Sequence, residues 1–234
     1  MDPNIDSNMK LLAIDTSNEA CSAALLIDRS AVQELTIAPR RHGELILGMM
    51  QRLLEQAGLE LRDLDALAFG CGPGSFTGIR IATSVIQGAA FGAELPVVPV
   101  STLAAMAQGQ FRRDGQRRLL TALDARMDEV YWGCYEIGGQ DLAELCGAEQ
   151  VCVPERVTRP KGDGWQGVGP GWGVHGEVLT QRLGSTLRGV NPDGLCEAQD
   201  IALLAAAELT AGRWVPAEQA LPVYLRDQVT RAPA

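Results

Sequence analysis

The stretch CGPGSFTGIR, residues 71–80, decides the fold of this chain. An apolar run at residues 64–69 predicts a buried strand before it, and residues 81–86 predict a helix after it. A strand, a glycine-rich turn and a helix in this order can direct free backbone N–H groups towards an anion. The same turn can instead bring the helix close to a neighbouring segment, and the two uses imply different functions.

The glycine spacing favours a structural turn over a phosphate cradle. The turn lacks the lysine of a Walker A loop, and Gly72, Gly74 and Gly78 do not have Rossmann spacing. Ser75 or Thr77 can cap the following helix without a ligand. Phosphate or nucleotide contact stays open as the second interpretation, and Arg80 can bind a neighbouring carboxylate instead of a ligand. The candidate contacts for that second interpretation are Asp15, Gly74, Ser75, Thr77 and Arg80.

Composition indicates a packed protein with reduced thiols. The chain has 234 residues, of which 46% are hydrophobic and 21% charged, and its formal charge of -9 repels phosphate backbones. No apolar run is long enough to cross a bilayer, and the first residues lack the pattern of a signal peptide. Six cysteines form no C-x-x-C pair. We therefore expect a cytoplasmic protein without membrane contact and without a structural zinc site.

A weak internal repeat predicts two related halves. Residues 10–17 predict a strand that ends at Asp15, and residues 21–27 predict its hairpin partner. The same order recurs 109 residues later, where residues 120–126 carry Asp124 and residues 130–135 follow. Each half therefore opens with a hairpin that has an aspartate at its first turn.

The remaining pattern predicts an α/β fold with two lobes. We expect the lobes at residues 9–104 and 105–226, with the last helix returning to the first lobe and flexible segments at residues 1–8 and 227–234. Further predicted elements are strands at residues 31–37 and 95–100, helices at 43–56, 77–92 and 200–211, a helix capped by Ser101, and an extended tail at 221–226.

Five segments resemble the TsaB (YeaZ) family. They are LAIDTS at residues 12–17, RHGE at 41–44, GPGSFTGIR at 72–80, DARMDEVY at 124–131 and YLR at 224–226. The glycine segment is the most specific, and the match runs in order from about residue 9 to residue 226. The family usually has a serine where this chain has Gly43, a departure that affects the start of one helix.

The resemblance implies an actin-like (ASKHA, ribonuclease H-like) two-lobe fold built from a duplicated unit. It also implies a role in making threonylcarbamoyladenosine (t6A) at position 37 of tRNA. In this system TsaB is a non-catalytic partner of TsaD, which acts with the ATPase TsaE, and a separate enzyme supplies threonylcarbamoyl-AMP. We therefore expect a heterodimer with TsaD, a homodimer in isolation, and tRNA contact through the complex. We expect no cofactor on the isolated chain, and ATP only in the complex with TsaD and TsaE.

Two helices have features of a helical dimer interface. In the helix at 77–92, small residues spaced by four lie along one face, where another backbone can approach. The helix at 43–56 has an apolar arc wider than a single core contact needs, and methionines suit adaptable surfaces. The alternative is that both helices pack only within their own lobe. The predicted interface residues are Leu45, Ile46, Met49, Met50, Leu53, Ser84, Gly88 and Gly92.

Catalytic chemistry has weak support in the sequence. Actin-like kinases place carboxylates where Asp15 and Asp124 lie, but they have a glycine soon after the first aspartate, where this chain has Thr16. We therefore expect turn-stabilising aspartates and no catalytic residue, and keep an actin-like small-molecule kinase or ATPase as the alternative. The glycine-rich loop at residues 162–173 fits either an adenosine-side loop, in which a tryptophan stacks on a base, or a flexible surface loop that its two tryptophans anchor.

Metal chemistry and peptidase activity have still less support. The chain has two histidines, His42 and His175, which do not form the His-x-x-x-His pair of TsaD-type proteins. We expect His42 on the surface near a helix start. A peptidase would also need a nucleophile, and the sequence offers no clear candidate.

Overall fold

Two β-sheets with the same strand order form the framework of the protein. The computed structural model describes residues 9–28 and 30–226, so the predicted flexible segments at 1–8 and 227–234 lie outside the described residues. The strands of the first sheet are β1 (Lys10–Asp15), β2 (Ala20–Ile27), β3 (Ser30–Ile37), β4 (Ala66–Gly72) and β5 (Val97–Ser101). Those of the second sheet are β6 (Arg118–Asp124), β7 (Val130–Ile137), β8 (Ala143–Leu145), β9 (Gln150–Cys152), β10 (Trp165–Val168) and β11 (Leu187–Asn191).

The sheet topology shows that the two halves are related. The first sheet has the order β3-β2-β1-β4-β5, and the second has the order β8-β7-β6-β10-β11, with β9 on the same strand β7. In both, three antiparallel strands are followed by two strands parallel to the third. Asp15 ends β1 and Asp124 ends the equivalent strand β6. The duplicated two-lobe fold predicted from the hairpin repeat is confirmed.

In the part of the chain that the structure describes, five α-helices cover the faces of these sheets. They are α1 (His42–Ala57), α2 (Phe76–Ala93), α3 (Thr102–Asp114), α4 (Gly171–Leu183) and α5 (Ala198–Thr210). Helix α1 packs on β2 and α2 packs on β4, both in the first lobe, while α4 packs on β6 in the second. The long elements lie within a few residues of their predicted positions because their apolar periodicity is regular.

The two central helices connect the lobes. Helix α3 packs on β6 and β7 of the second sheet, α5 packs on β1, β2 and β4 of the first, and the two helices contact each other. The lobe boundary predicted between residues 104 and 105 therefore falls inside α3, whose contacts belong mainly to the second sheet. As predicted for its start, the Ser101 hydroxyl accepts hydrogen bonds from the amides of Leu103 and Ala104.

The glycine-rich segment at residues 162–173 is exposed at its start and then continues into β10 and α4, so it is not a surface loop throughout, while its two tryptophans anchor it as predicted. Trp165 lies in β10 and Trp172 in α4, and both rings are buried. The Trp172 indole N–H donates to the Leu120 carbonyl at 2.9 Å, and its ring lies 5.7 Å from that of Trp132. A Cβ on Gly167 would lie 2.4 Å from the Trp172 ring, so this glycine makes room for the ring. Neither tryptophan is free to stack on a base.

Candidate partner interface and glycine turn

The glycine turn between β4 and α2 is covered by the turn that follows β1. A Cβ on Gly78 would lie 1.9 Å from the Thr16 carbonyl oxygen, and one on Gly74 would lie 2.7 Å from that of Ser17. The amide of Ser75 donates to the Ser17 carbonyl at 2.8 Å. The two glycines therefore permit close packing of two chain segments. This geometry matches a turn that seats a helix.

Ser75 caps the start of α2. Its hydroxyl accepts a hydrogen bond from the Gly78 amide at 3.3 Å, while the Thr16 hydroxyl donates to the Gly78 carbonyl at 2.6 Å. Thr77 lies inside the first turn of the helix and is exposed. The chain therefore caps this helix start at the Gly78 amide with its own Ser75 side chain.

Asp15 is buried beneath the same turn. Its Oδ2 accepts hydrogen bonds from the Ser17 amide at 3.1 Å, the Ser17 hydroxyl at 3.0 Å and the Asn18 side-chain amide at 2.8 Å. Its Oδ1 has no hydrogen-bond partner among the described residues, and a Cβ on Gly70 would lie 2.2 Å from it. Burial raises the pKa of the Asp15 carboxyl to about 7, although the Ser17 hydrogen bonds oppose this. This environment stabilises a turn and disfavours a charged metal ligand.

Asp124, the equivalent residue in the second lobe, has different surroundings. Its Oδ1 accepts from the Arg126 amide at 2.9 Å and lies 3.6 Å from the His175 Nε2. Its Oδ2 lies 3.3 Å from the exposed Arg126 guanidinium. Asp124 therefore also fixes a turn, at residues 124–129, and its contacts among the described residues differ from those of Asp15.

Among the described residues, Arg80 binds an aromatic pair and no carboxylate. Its Nε donates to the Tyr224 hydroxyl at 3.0 Å, and its guanidinium carbon lies 3.7 Å from the centre of the Phe76 ring. The Phe76 and Tyr224 rings lie 6.0 Å apart. The sequence missed this cluster because Arg80 and Tyr224 are 144 residues apart.

Residues 221–226, which we call the C-terminal strap, connect the two lobes. The Val223 amide donates to the Cys71 carbonyl at 2.8 Å in the first lobe. The Arg226 guanidinium forms an ion pair with Glu129 in the second lobe and contacts the Met127 sulfur at 3.1 Å. Residues 224–226 of the strap are one of the segments on which the family resemblance rests. They contact two others, at residues 72–80 and 124–131.

Most of the apolar stripe of α1 faces the core of its own lobe. The helix packs on β2, and this contact accounts for much of the arc that the sequence assigned to a partner. Exposed apolar surface lies elsewhere, at Leu47, which is 59% exposed, and at Phe91 on α2, which is 77% exposed. The predicted interface residues that are buried in the monomer are Ile46, Met49, Met50 and Leu53, and Leu45 is half-buried. A direct partner contact by Ile46, Met49 or Leu53 is therefore not supported in this conformation.

The small-residue face of α2 is open. Ser84, Gly88 and Gly92 are exposed, and a Cβ on either glycine would meet nothing within 4 Å. These two glycines therefore do not serve packing against α1, which was the alternative interpretation of their spacing.

A mainly apolar groove of about 630 Å³ lies between α1 and α2 beside this face. Its lining residues are Leu47, Met50, Gln51, Leu54, Glu55, Leu59, Leu61, Ser84, Val85, Gly88 and Ala89. A second groove of about 500 Å³ shares Ser84 and Val85 with it and extends towards Phe76 and Arg80. Together they follow most of the exposed side of α2 and can accept an apolar helix of another chain.

The remaining candidate features are the histidine predicted at the surface, metal-binding groups and membrane-spanning helices. His42 begins α1 and is buried, so its predicted surface position is wrong. Within residues 9–28 and 30–226, no group of three His, Cys, Asp or Glu side chains is arranged to hold a metal ion. Over the same ranges no helix has the length and apolar character needed to span a membrane.

Two sheets of the same order, joined by central helices, define a two-lobed protein of the actin-like class. The family described as tRNA N6-adenosine threonylcarbamoyltransferase (TsaD) matches residues 35–167. The tRNA threonylcarbamoyladenosine biosynthesis protein TsaB of Escherichia coli is 43% identical over 228 residues, which cover 94% of this chain and 96% of that protein. Its Haemophilus influenzae counterpart is 40% identical over 232 residues, covering 95% and 96%.

A solved structure agrees with these relatives. YeaZ from Pseudomonas aeruginosa is 46% identical, has a TM-score of 0.86, and matches 93% of this chain and 100% of its own. The chain belongs to the TsaB (YeaZ) family within the wider TsaD group.

Proposed function

We propose that this protein is a non-catalytic subunit that pairs with TsaD. In this role it supports transfer of the threonylcarbamoyl group from threonylcarbamoyl-AMP to adenosine 37 of tRNA. The names of its relatives, which are t6A biosynthesis proteins, support a place in this process. The pairing and the absence of catalysis are inferred from the surface of α2 and from the glycine turn.

The observation that carries the proposal is the open small-residue face of α2 beside the apolar groove. A glycine inside a helix costs about 1 kcal/mol relative to alanine, and among residues 9–28 and 30–226 nothing lies near enough to Gly88 or Gly92 to require a glycine. A second helix that lies against this face would explain both, because the absence of a side chain lets two backbones approach closely. Leu47, Met50 and Leu54 would then lose their remaining water contact against the partner.

The environment of Asp15 supports a non-catalytic role. A carboxylate that binds a metal–nucleotide complex must reach the ligand in its charged form, whereas Asp15 is buried and desolvated. The glycine turn beside it is filled by Thr16 and Ser17. A direct phosphate contact by Gly74, Ser75 or Thr77 would need this packing to open.

The other members of the proposed assembly are those that the family resemblance implies. We expect TsaE to act on the heterodimer, ATP to bind only in the complex with TsaD and TsaE, and tRNA to be held mainly by other subunits, since this chain has a net charge of -9. In the absence of TsaD, we expect the same face of α2 to form a homodimer.

The pairing can be tested with purified full-length protein and TsaD. We expect a stable heterodimer in size-exclusion chromatography, and Gly88→Leu should weaken the affinity measured by calorimetry at least tenfold. Gly176→Leu is the matched control because Gly176 also lies in a helix, α4, with nothing within 4 Å of its Cβ position. Equal binding by the Gly88→Leu and wild-type proteins would exclude this face.

The absence of catalysis has its own test. Calorimetry of the isolated chain with ATP and magnesium should detect neither tight binding nor turnover. Tight binding with hydrolysis would favour an actin-like kinase or ATPase instead, and Asp15→Asn would then be expected to abolish it.

A further inference from the structure

Two cysteines lie directly opposite each other in the second sheet. Cys134 is on β7, and Cys146 follows the last residue of β8. The antiparallel register pairs Tyr135 with Leu145, so the next pair along the strands is Cys134 with Cys146. The Cys146 amide donates to the Cys134 carbonyl at 2.8 Å, which shows that the register continues to this pair.

This register puts the two residues within disulfide range. Opposed residues in a hydrogen-bonded antiparallel pair have Cα atoms about 5.5 Å apart, and disulfides join Cα atoms about 4.4–6.8 Å apart. Directly opposed side chains also leave the sheet on the same face. Both cysteines pack into one apolar cluster, which includes Trp132. No large backbone movement is needed to join them.

The other cysteines are less suitable partners. Cys152 on β9 is opposite Val130, four residues from Cys134 along β7, which corresponds to about 13 Å. Cys21 and Cys71 lie on β2 and β4 of the other sheet, and Cys196 is buried beside Asn18, whose side-chain amide donates to the Cys196 carbonyl.

The two thiols differ in access to solvent. Cys134 is buried, whereas Cys146 is half-buried near the edge of the sheet. The contact of the Cys134 sulfur with the Thr158 carbonyl is 3.8 Å, and that of the Cys146 sulfur with the Glu144 carbonyl is 3.9 Å. Since thiol hydrogen bonds are weak, neither contact holds its sulfur away from the other cysteine. A small oxidant would reach Cys146 first.

We propose that Cys134 and Cys146 are a redox-sensitive pair that a hydroperoxide oxidises to a disulfide. The Cys146 thiolate attacks a peroxide oxygen, the O–O bond breaks, an S–O bond forms, and water or an alcohol leaves. The Cys134 sulfur then attacks the Cys146 sulfur, the S–O bond breaks, and water leaves as the S–S bond forms. The two thiols together lose two electrons and two protons, the peroxide is reduced, and a dithiol reverses the reaction.

The pair is close to a contact between the lobes. Three residues after Cys146, the Glu149 carboxylate accepts hydrogen bonds from the Ser101 hydroxyl of the first lobe and the Tyr135 hydroxyl of the second. A disulfide at Cys146 would restrict the loop that carries Glu149. Burial raises the pKa of the Cys134 thiol to about 11 and raises that of Cys146, so only a small thiolate fraction of Cys146 reacts at neutral pH and the disulfide forms under excess hydroperoxide.

The test is to treat the reduced full-length protein with hydrogen peroxide, block the remaining thiols with N-ethylmaleimide, and map the peptides by mass spectrometry. We expect one cross-linked pair, Cys134 with Cys146, lighter than the two thiol peptides by two hydrogen atoms. Dithiothreitol should return both residues to the form that N-ethylmaleimide labels.

Two single variants make this result decisive. Cys146→Ser should abolish the cross-link, and because Cys146 is half-buried this change should leave the fold intact by circular dichroism. Cys152→Ser should keep it. The proposal is overturned if Cys134 and Cys146 remain free or reach only separate sulfinic acids, or if the main cross-link involves Cys152.

Discussion

The first turn of α2 is in direct contact with the segment after β1 at one point, where a Cβ on Gly78 would lie 1.9 Å from the Thr16 carbonyl oxygen. The Thr16 hydroxyl donates to the Gly78 carbonyl at 2.6 Å, so each residue holds the other. This contact fills the space that an anion would need above the glycine turn.

Replacing Gly78 with alanine should destabilise the protein strongly. The obstructing atom belongs to the backbone, which cannot rotate away, so we expect a loss of about 3 kcal/mol in the free energy of unfolding. Urea titration followed by circular dichroism measures this. Gly88→Ala is the matched control, because its Cβ would meet nothing and alanine favours a helix by about 1 kcal/mol. Equal stability of the two variants would contradict the close packing.

Asp15→Asn should remove a pH dependence of stability. Burial raises the pKa of the folded-state carboxyl from 3.8 to about 7, so the folded protein binds one more proton than the unfolded chain between these values. The resulting stabilisation is fully present below pH 3.8 and is lost as the pH rises through about 7. Asparagine carries no such charge but can still accept hydrogen bonds from Ser17 and Asn18.

The measurement is the free energy of unfolding of both proteins between pH 5 and pH 8. The stability of wild type relative to Asp15→Asn should fall by about 1 kcal/mol for each pH unit until it levels off above pH 7. Subtracting the variant's curve removes the contribution of other titrating groups. Two parallel curves would mean that Asp15 is not desolvated as described.

The order of strands and helices could be predicted because it depends on local periodicity. The hairpin with Asp15 at its turn recurs in the second half with Asp124 at its turn. This repeat alone indicated two sheets of the same kind. Ser101 ends β5, Ser75 lies three residues after β4, and each directly precedes a helix, so their capping roles were also visible in the sequence.

The depth of burial could not be predicted in the same way. Periodicity shows which residues share a helix face, but the rotation of α1 on the sheet decides that Ile46 is buried and Leu47 is 59% exposed. Trp172 is buried because Gly167 leaves space for its ring, a contact that neighbouring sequence letters do not reveal. The Arg80–Tyr224 contact depends on the path of the whole chain.

Arg226→Ala should loosen the C-terminal strap. The change removes the ion pair with Glu129, so the Val223 amide, which donates to Cys71, should open more often. We expect its hydrogen exchange to become roughly two- to fivefold faster, the effect of a contact worth up to about 1 kcal/mol. Arg188→Ala, a change at an exposed arginine on β11, should leave this exchange rate unaltered. No difference between the two variants would show that Arg226 does not hold the strap.

Arg112→Met should weaken the packing of α3 on α5. The guanidinium binds both carboxylate oxygens of the buried Asp200, at 2.9 and 3.0 Å, and burial still leaves the pKa of Asp200 raised. Removing Arg112 leaves this carboxylate without its main counter-charge, so we expect a loss of about 3 kcal/mol in urea unfolding at neutral pH.

Adding Asp200→Asn to Arg112→Met distinguishes two causes of the stability loss, the unpaired charge of Asp200 and the lost side-chain packing of Arg112. If the cost comes from an uncompensated buried carboxylate, the double variant should recover more than half of the stability that Arg112→Met loses, because no charge is then left in the core. Arg213→Met, which breaks an exposed pair with Glu208, should change stability little. Failure of Asp200→Asn to restore stability would instead assign the loss to the missing side-chain packing of Arg112.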